Sequence, residues 1–314
     1  MQDAQFDQAR LAFREAVWAG LQQEPKRIPS KYLYDAQGMR WFEAITRLPE
    51  YYLTRAEVEI LQRLPTLWPS HLPSPTAIAE LGPGSGEKAV LLLRALPEVQ
   101  AYIAVDIAAE ALDAAVARVR QSGWAGLSYG QRGDWVHGFK WPALSASRRM
   151  VAFLGSSIGN FEPDEARAFL HRLRRHAESG ELLLVGVDLV KDERLLWAAY
   201  NDPEGVTAGF NCNLLHRINR ELDGNFAVDR FYHVAPFNAQ ASRVEMHLVS
   251  LCDQEVAVAG RRFSLRRGEQ IVTEYSYKYT VEGFQALLAD AGWKPAAVWH
   301  DHRGYFSLHL AASS

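Results

Sequence analysis

The chain has 314 residues, 48% hydrophobic and 23% charged, which describes a folded globular chain and excludes a largely disordered or collagen-like one. Its 34 Lys and Arg against 37 Asp and Glu leave a formal charge of -3, without the basic excess that holds a phosphate backbone, so no nucleic-acid partner is expected. Two cysteines, Cys212 and Cys252, are too few for a disulfide framework and point to a reducing, cytoplasmic compartment.

The first 23 residues are acidic and amphipathic, unlike a signal peptide, and predict a helix over 5–23 with Phe6, Ala9, Leu11, Phe13, Val17 and Leu21 roughly at helical spacing. No apolar run approaches the roughly 18 residues of a membrane span, so no membrane partner is expected. An aromatic-rich stretch follows, with helices expected at 38–47 and 54–63, the second capped by Thr54 with Glu57 three residues on. From 77 to 190 strands and helices alternate: strands TAIAEL, AYIAVD, LSYGQ, RMVAFLG and ELLLVGVDLV, with helices at 87–96, 108–123 and after Pro163. Continuous apolar strands separated by helices imply a parallel sheet covered on both faces. Residues 191–224 read as helices broken near Asn201–Pro203. Residues 225–279 alternate as an antiparallel block with one wet face. The end returns to helix 281–293 and a hairpin around Arg303–Gly304. The expected architecture is α/β, with a doubly wound domain (57–190 and 280–314) and a second α+β domain from the N-terminal segment and an insertion (1–56 and 191–279).

The sharpest chemical signal is Glu80-Leu81-Gly82-Pro83-Gly84-Ser85-Gly86, directly after a strand and before a helix. Its glycines let the backbone turn tightly and approach a ligand. A P-loop would need Gly-Lys-Ser/Thr, and a dinucleotide fingerprint would put Glu87 where its third glycine and a pyrophosphate belong. Asp106 ends the next strand 20 residues after Gly86, placed to accept ribose hydroxyls. A nucleoside cofactor without pyrophosphate fits, and S-adenosylmethionine is the expected one. Gly133-Asp134-Trp135 offers a carboxylate and an aromatic face for an adenine, or a polar turn with a packed Trp. The closing helix and hairpin are the usual end of class I, Rossmann-like methyltransferase domains, by analogy of fold.

Other constellations compete. Gly155-Ser156-Ser157-Ile158-Gly159 matches the nucleophile elbow of a serine hydrolase, with Ser157 as nucleophile and Asp188 and His300 or His302 following in order. The elbow needs a helix starting at the serine, whereas Pro163 belongs to a helix's first turn. His300-Asp301-His302 lacks a third metal ligand by spacing, so no metal is expected. Glu274 and Ser276 point to the same side of a strand, as a site or as a polar outer face.

The segments KYLYDAQG, RLPEYYLTRAEVEIL, ELGPGSGEK, FLGSSIGNFEPDE, DLVKD, AAYNDPEGVTAGFN, INRELDGNF, RVEMHL and TEYSYK resemble the histidine-specific Nα-methyltransferase family of ergothioneine biosynthesis, over nearly the whole chain. The resemblance implies a class I methyltransferase domain carrying S-adenosylmethionine, and a second domain that closes over L-histidine. Three successive transfers would give hercynine. Carried over residue by residue, it implies cofactor contacts at Tyr51, Gly82, Lys88, Asp106, Asp134 and Trp135, beside Gly84 of the turn. It implies that Asn160 and Tyr200 hold the amino acid end, and that Glu274 and Ser276 read the imidazole, with Tyr34 opposite and Met246 nearby. Gly155 and Ser157 would lie in the amine-facing turn. Two positions depart from the family's habit: Trp135, where another aromatic is frequent, and Ser157, where threonine is common. Methyl transfer needs no covalent intermediate, so no catalytic nucleophile is expected. The remaining alternatives are an Nα-methyltransferase of another aromatic amino acid, the hydrolase through Ser157, and a binding module that has lost turnover. A monomer acting on a small molecule is expected.

Overall fold

The computed structural model describes residues 2–135, 141 and 148–313, with side chains from residue 8 onward. Two compact units form, one from Tyr52–Lys191 and Tyr277–Ser314, the other from Met1–Tyr51 and Asp192–Ser276.

The first unit is built on seven strands: β1 (Ala77–Leu81), β2 (Ala101–Asp106), β3 (Leu127–Arg132), β4 (Arg149–Phe153), β5 (Leu182–Asp188), β6 (Trp293–His300) and β7 (Phe306–Ser313). Their spatial order is β6-β7-β5-β4-β1-β2-β3. Strands β1 to β5 pair in parallel, and β7 runs antiparallel to both β5 and β6. Helices α1 (Tyr52–Leu67), α2 (Glu87–Ala95), α3 (Ala109–Gln121), α4 (Pro163–His176) and α5 (Val281–Asp290) belong to the same unit. This is the α/β, class I methyltransferase arrangement, with its closing helix and antiparallel hairpin. Every residue of β1 and β5 is buried, as a parallel sheet covered on both faces requires. Ile103, Phe153, Phe169 and Phe284 share one core cluster, each worth roughly 1.5–3 kcal/mol of burial before ordering entropy is counted.

The chain order reverses at β1, whose neighbours are β2 and β4. Crevices at such switch points, beyond the carboxyl ends of the strands, are where open α/β sheets bind ligands. The Gly82–Gly86 turn leaves β1 at that point. Helix α1 departs from expectation: it runs past Thr54 at one end and through Pro65 at the other. Its buried face carries Leu53, Ala56, Ile60, Leu61 and Leu64, and Glu57 lies on that face instead of capping the helix. Burial of the stripe outweighs the local capping signal.

In the second unit, helix Gln2–Leu21 buries Phe13, Val17 and Leu21 at four-residue spacing and leaves Leu11 exposed. Its sheet has the order Lys26–Arg27, Gln270–Tyr277, Arg243–Ser250, Phe231–Val234, with Phe237–Asn238 pairing to the third of these. Strands Gln254–Val258 and Arg261–Leu265 form a separate antiparallel hairpin. That hairpin has the expected wet face: Val256, Val258, Phe263 and Leu265 are buried and Glu255, Arg261, Arg262 and Ser264 exposed. The main sheet does not. Gln270–Tyr277 is buried at every position from Ile271 onward, and helix Val206–Glu221 packs on the other strands, its Asn211 Nδ2 donating to the His247 carbonyl at 3.1 Å. The strand alternation expected from 225 onward is interrupted by a turn at Val228–Arg230 and by Pro236, which has no N–H to donate. Among the described residues no helix is long and apolar enough to cross a membrane.

Candidate active site

The glycine turn is held open by its own backbone. Gly82, Gly84 and Gly86 have φ of +67°, +54° and +75°, a region that side chains rarely adopt. A Cβ on Gly86 would lie 2.7 Å from the Ala115 Cα of α3, so helix and turn pack backbone to backbone. No atom lies within 4 Å of where a Cβ of Gly84 would sit, and Trp135 Cζ2 is 3.9 Å from the corresponding point on Gly82. Trp135 itself packs edge-on against Phe153 and Phe169, at 4.9 and 5.7 Å between ring centres. Asp134 is exposed in the turn after β3. Asp106 closes β2 half-buried, Oδ1 accepting the Ala108 N–H at 2.9 Å, and burial pushes its pKa up. Beneath the turn, Glu80 is fully buried. It accepts the Tyr102 hydroxyl at 2.6 Å on Oε2, while its Oε1 has no protein partner. Burial pushes its pKa to about 7, against the pull of Tyr102 and Lys88.

Lys88 points from α2 to Glu57, Nζ to Oε2 2.8 Å. The same carboxylate accepts the Gly155 N–H at 2.8 and 3.0 Å. Glu57 therefore joins two residues expected in the site, although its spacing from Thr54 suggested a cap. The signal that could have found it is an acid in the apolar stripe of a helix, a place where charge occurs only when paired. Beyond Gly155, Ser157–Asn160 forms a short 3₁₀ turn, anchored by buried Ile158 and ending on half-buried Asn160.

The hydrolase constellation does not form. Ser157 donates to the Leu154 carbonyl at 3.1 Å, and the helix that should start at the serine begins at Pro163. Asp188 lies between Lys191 and Lys278, at 2.6 and 2.7 Å, and accepts the Tyr52 hydroxyl. Burial works against the charge of Asp188, and the two lysines overcome it, leaving its pKa low. Lys191 is itself pulled down by burial to about 8. His302 pairs with Glu59 at 2.5 Å, and Asp301 accepts the N–H groups of Arg303, Tyr305 and Phe306, so that stretch is a tied turn.

In the second unit, four expected substrate residues meet in two pairs. The Tyr34 hydroxyl donates to Glu274 Oε2 at 3.3 Å, and the Tyr200 hydroxyl and Ser276 Oγ are 2.9 Å apart. Glu274 and Ser276 are 7% and 4% exposed, so the alternative of a polar outer face is overturned. Tyr34 follows the 3₁₀ turn Ser30–Leu33 and precedes Asp35, which caps the next helix through Gly38 and is held by Asn213 and Arg220. Its ring lies 5.3 Å from Phe210 and 5.6 Å from Phe42. Burial, with Glu274 beside it, raises the Tyr34 pKa, so the hydroxyl keeps its proton. Tyr51, expected among the cofactor contacts, has its ring 6.3 Å from those of Tyr200 and Phe42. Met246 is buried, its carbonyl accepting the hydroxyl of Thr273, the neighbour of Glu274.

Residues 13–313 match the family model of the histidine-specific, S-adenosylmethionine-dependent methyltransferases. The chain is 40% identical over 313 residues to a histidine N-alpha-methyltransferase of Mycobacterium tuberculosis, covering 98% of this chain and 96% of that one. It is also 40% identical over 312 residues to the Mycolicibacterium smegmatis protein of the same name, covering 97% and 96%. A Neurospora crassa ergothioneine biosynthesis protein 1 is 31% identical over 302 residues, 92% of this chain and 33% of its own length. A glycine turn at the switch point, an acid ending the second strand and a match over nearly the whole chain agree: the protein belongs to the histidine-specific, S-adenosylmethionine-dependent methyltransferase family.

Proposed function

We propose that this protein transfers methyl groups from S-adenosylmethionine to the α-amino nitrogen of L-histidine, three times in succession, giving hercynine on the route to ergothioneine. The observation that carries the reading is the pair of buried polar groups two residues apart on one strand, Glu274 and Ser276, each joined to a tyrosine hydroxyl. A carboxylate accepts one imidazole N–H, and a serine hydroxyl serves the other nitrogen as donor or acceptor. An acceptor and a hydroxyl two residues apart on one side of a strand suit a substrate carrying two ring nitrogens.

Bound S-adenosylmethionine supplies a methyl group on a sulfonium, open to in-line displacement. The donor set of the first unit suits it: Asp106 for the ribose hydroxyls, the open backbone at Gly82 and Gly84, the Trp135 and Asp134 turn for the adenine, and Lys88 for the amino acid carboxylate. With Glu87 opening the helix after the turn, the loop is unsuited to pyrophosphate. Asn160 and Tyr200 are assigned to the histidine carboxylate and the Gly155–Ser157 turn to the amine. Tyr51 is reassigned from the cofactor to the amino acid, on its contact with Tyr200. Alignment and exclusion of water carry the reaction, and no side chain acts as nucleophile. We also infer a cytoplasmic monomer with no nucleic-acid or membrane partner, supported by unpaired Cys212 and Cys252 and by the near-neutral charge.

The test is mass spectrometry of histidine incubated with the protein and S-adenosylmethionine. A product carrying three added methyl groups is expected. Histidine left unmodified while tryptophan or tyrosine gains methyl groups would replace this reading with the other aromatic substrate.

A further inference from the structure

Helix Glu193–Tyr200 ends on the tyrosine whose hydroxyl meets Ser276. The last carbonyls of a helix have no partner within it. The Tyr200 carbonyl finds one on the strand Phe231–Val234, where Nε2 of His233 lies 2.8 Å away. A carbonyl can only accept, so Nε2 carries the proton and Nδ1 of the neutral ring is an acceptor. Asn211, on helix Val206–Glu221, supplies its donor: Nδ2 is 2.9 Å from Nδ1 and gives its second hydrogen to the His247 carbonyl at 3.1 Å. The reversed amide would set two acceptors against each other, Asn211 Oδ1 and the His247 carbonyl. Burial lowers the pKa of His233 and keeps the ring neutral. The next residue extends the clip, Asn201 donating to the Ala235 carbonyl at 2.9 Å and accepting the Ala235 N–H at 2.8 Å.

We propose that His233 is a positioning residue for the amino acid substrate. Its Nε2–H, with the tautomer set by Asn211, holds the end of the Tyr200 helix and so places the Tyr200 ring and hydroxyl. This deepens the functional reading and rests on the assignment of Tyr200 to the substrate.

The experiment is steady-state kinetics on folded His233→Leu, His233→Gln, Tyr200→Phe and the double variant His233→Leu/Tyr200→Phe, with cofactor affinity by calorimetry. His233→Leu should raise the KM for histidine about tenfold, the effect of one lost buried hydrogen bond, with kcat less affected and S-adenosylmethionine affinity unchanged. His233→Gln, whose amide both donates and accepts, should recover most of it. In the Tyr200→Phe background, adding His233→Leu should cost less than about threefold, because residues acting through one contact are not additive. If His233→Leu does not fold, His233→Asn, too short to reach the Tyr200 carbonyl, takes its place with the same expected loss. Wild-type KM in the His233 variant, or the full penalty repeated on Tyr200→Phe, overturns the clip. Unchanged KM in Tyr200→Phe alone overturns the substrate assignment of Tyr200 instead.

Discussion

Glu274 and Ser276 illustrate what a single residue decides. Strand spacing put them on one side, and the fold buries that side, with a tyrosine hydroxyl at each residue. A site that hydrogen-bonds both nitrogens of a ring rejects ligands lacking them strongly. Glu274→Ala should therefore lower kcat/KM for histidine by up to about 10⁴ while S-adenosylmethionine affinity stays at the wild-type level. Kinetics and calorimetry on one preparation check this, and unchanged histidine turnover would remove Glu274 from the site. Asp106 and the glycines were legible in the sequence because motif and strand end lie within one local unit. Glu57 was not. Its partners Lys88 and Gly155 lie 31 and 98 residues away, and only packing brings them to one carboxylate.

Elements form where periodicity and burial agree, and they shift where the two compete. The parallel strands of the first unit were readable as apolar runs between helices, since both their faces are buried. Helix α1 outran its capping signal because its apolar stripe extends further. Strand Gln270–Tyr277 looked half-exposed by alternation, yet both faces are covered. The join of β1 to α2 depends on Gly86, with its positive φ and its contact to the backbone of α3. Gly86→Ala should destabilise the protein by about 1–3 kcal/mol from the backbone strain alone, with further loss from displacing α3. It should also weaken cofactor binding. Urea unfolding and calorimetry measure the two, and a stability equal to wild type would show that the turn relaxes freely.

For the whole molecule, the ionisable groups buried in the first unit tie its stability to pH. Glu80 has its pKa raised from 4.5 to about 7, chiefly by burial. The folded state then keeps a proton that the unfolded chain releases, so stability is full below pH 4.5 and is lost as pH rises toward 7. Glu80→Gln cannot ionise. Its stability relative to wild type should therefore rise across that window by on the order of 3 kcal/mol. Unfolding measured from pH 4.5 to 7.5 tests the sign, and a constant difference would mean that Glu80 ionises freely in the fold. The Asp188, Lys191 and Lys278 cluster adds a second constraint, since removing one member would leave charge buried and unpaired.

The alternation of strands with helices, the glycine turn and Asp106 pointed to an α/β chain that uses S-adenosylmethionine, because those features are written in neighbouring residues. Tertiary structure alone decided which polar residues are buried together: Glu57 with Lys88 and Gly155, Tyr34 with Glu274, and His233 with the end of the Tyr200 helix. The physical reason is that hydrogen bonding and desolvation act through space between distant segments, and local periodicity does not encode which distant partner will be met.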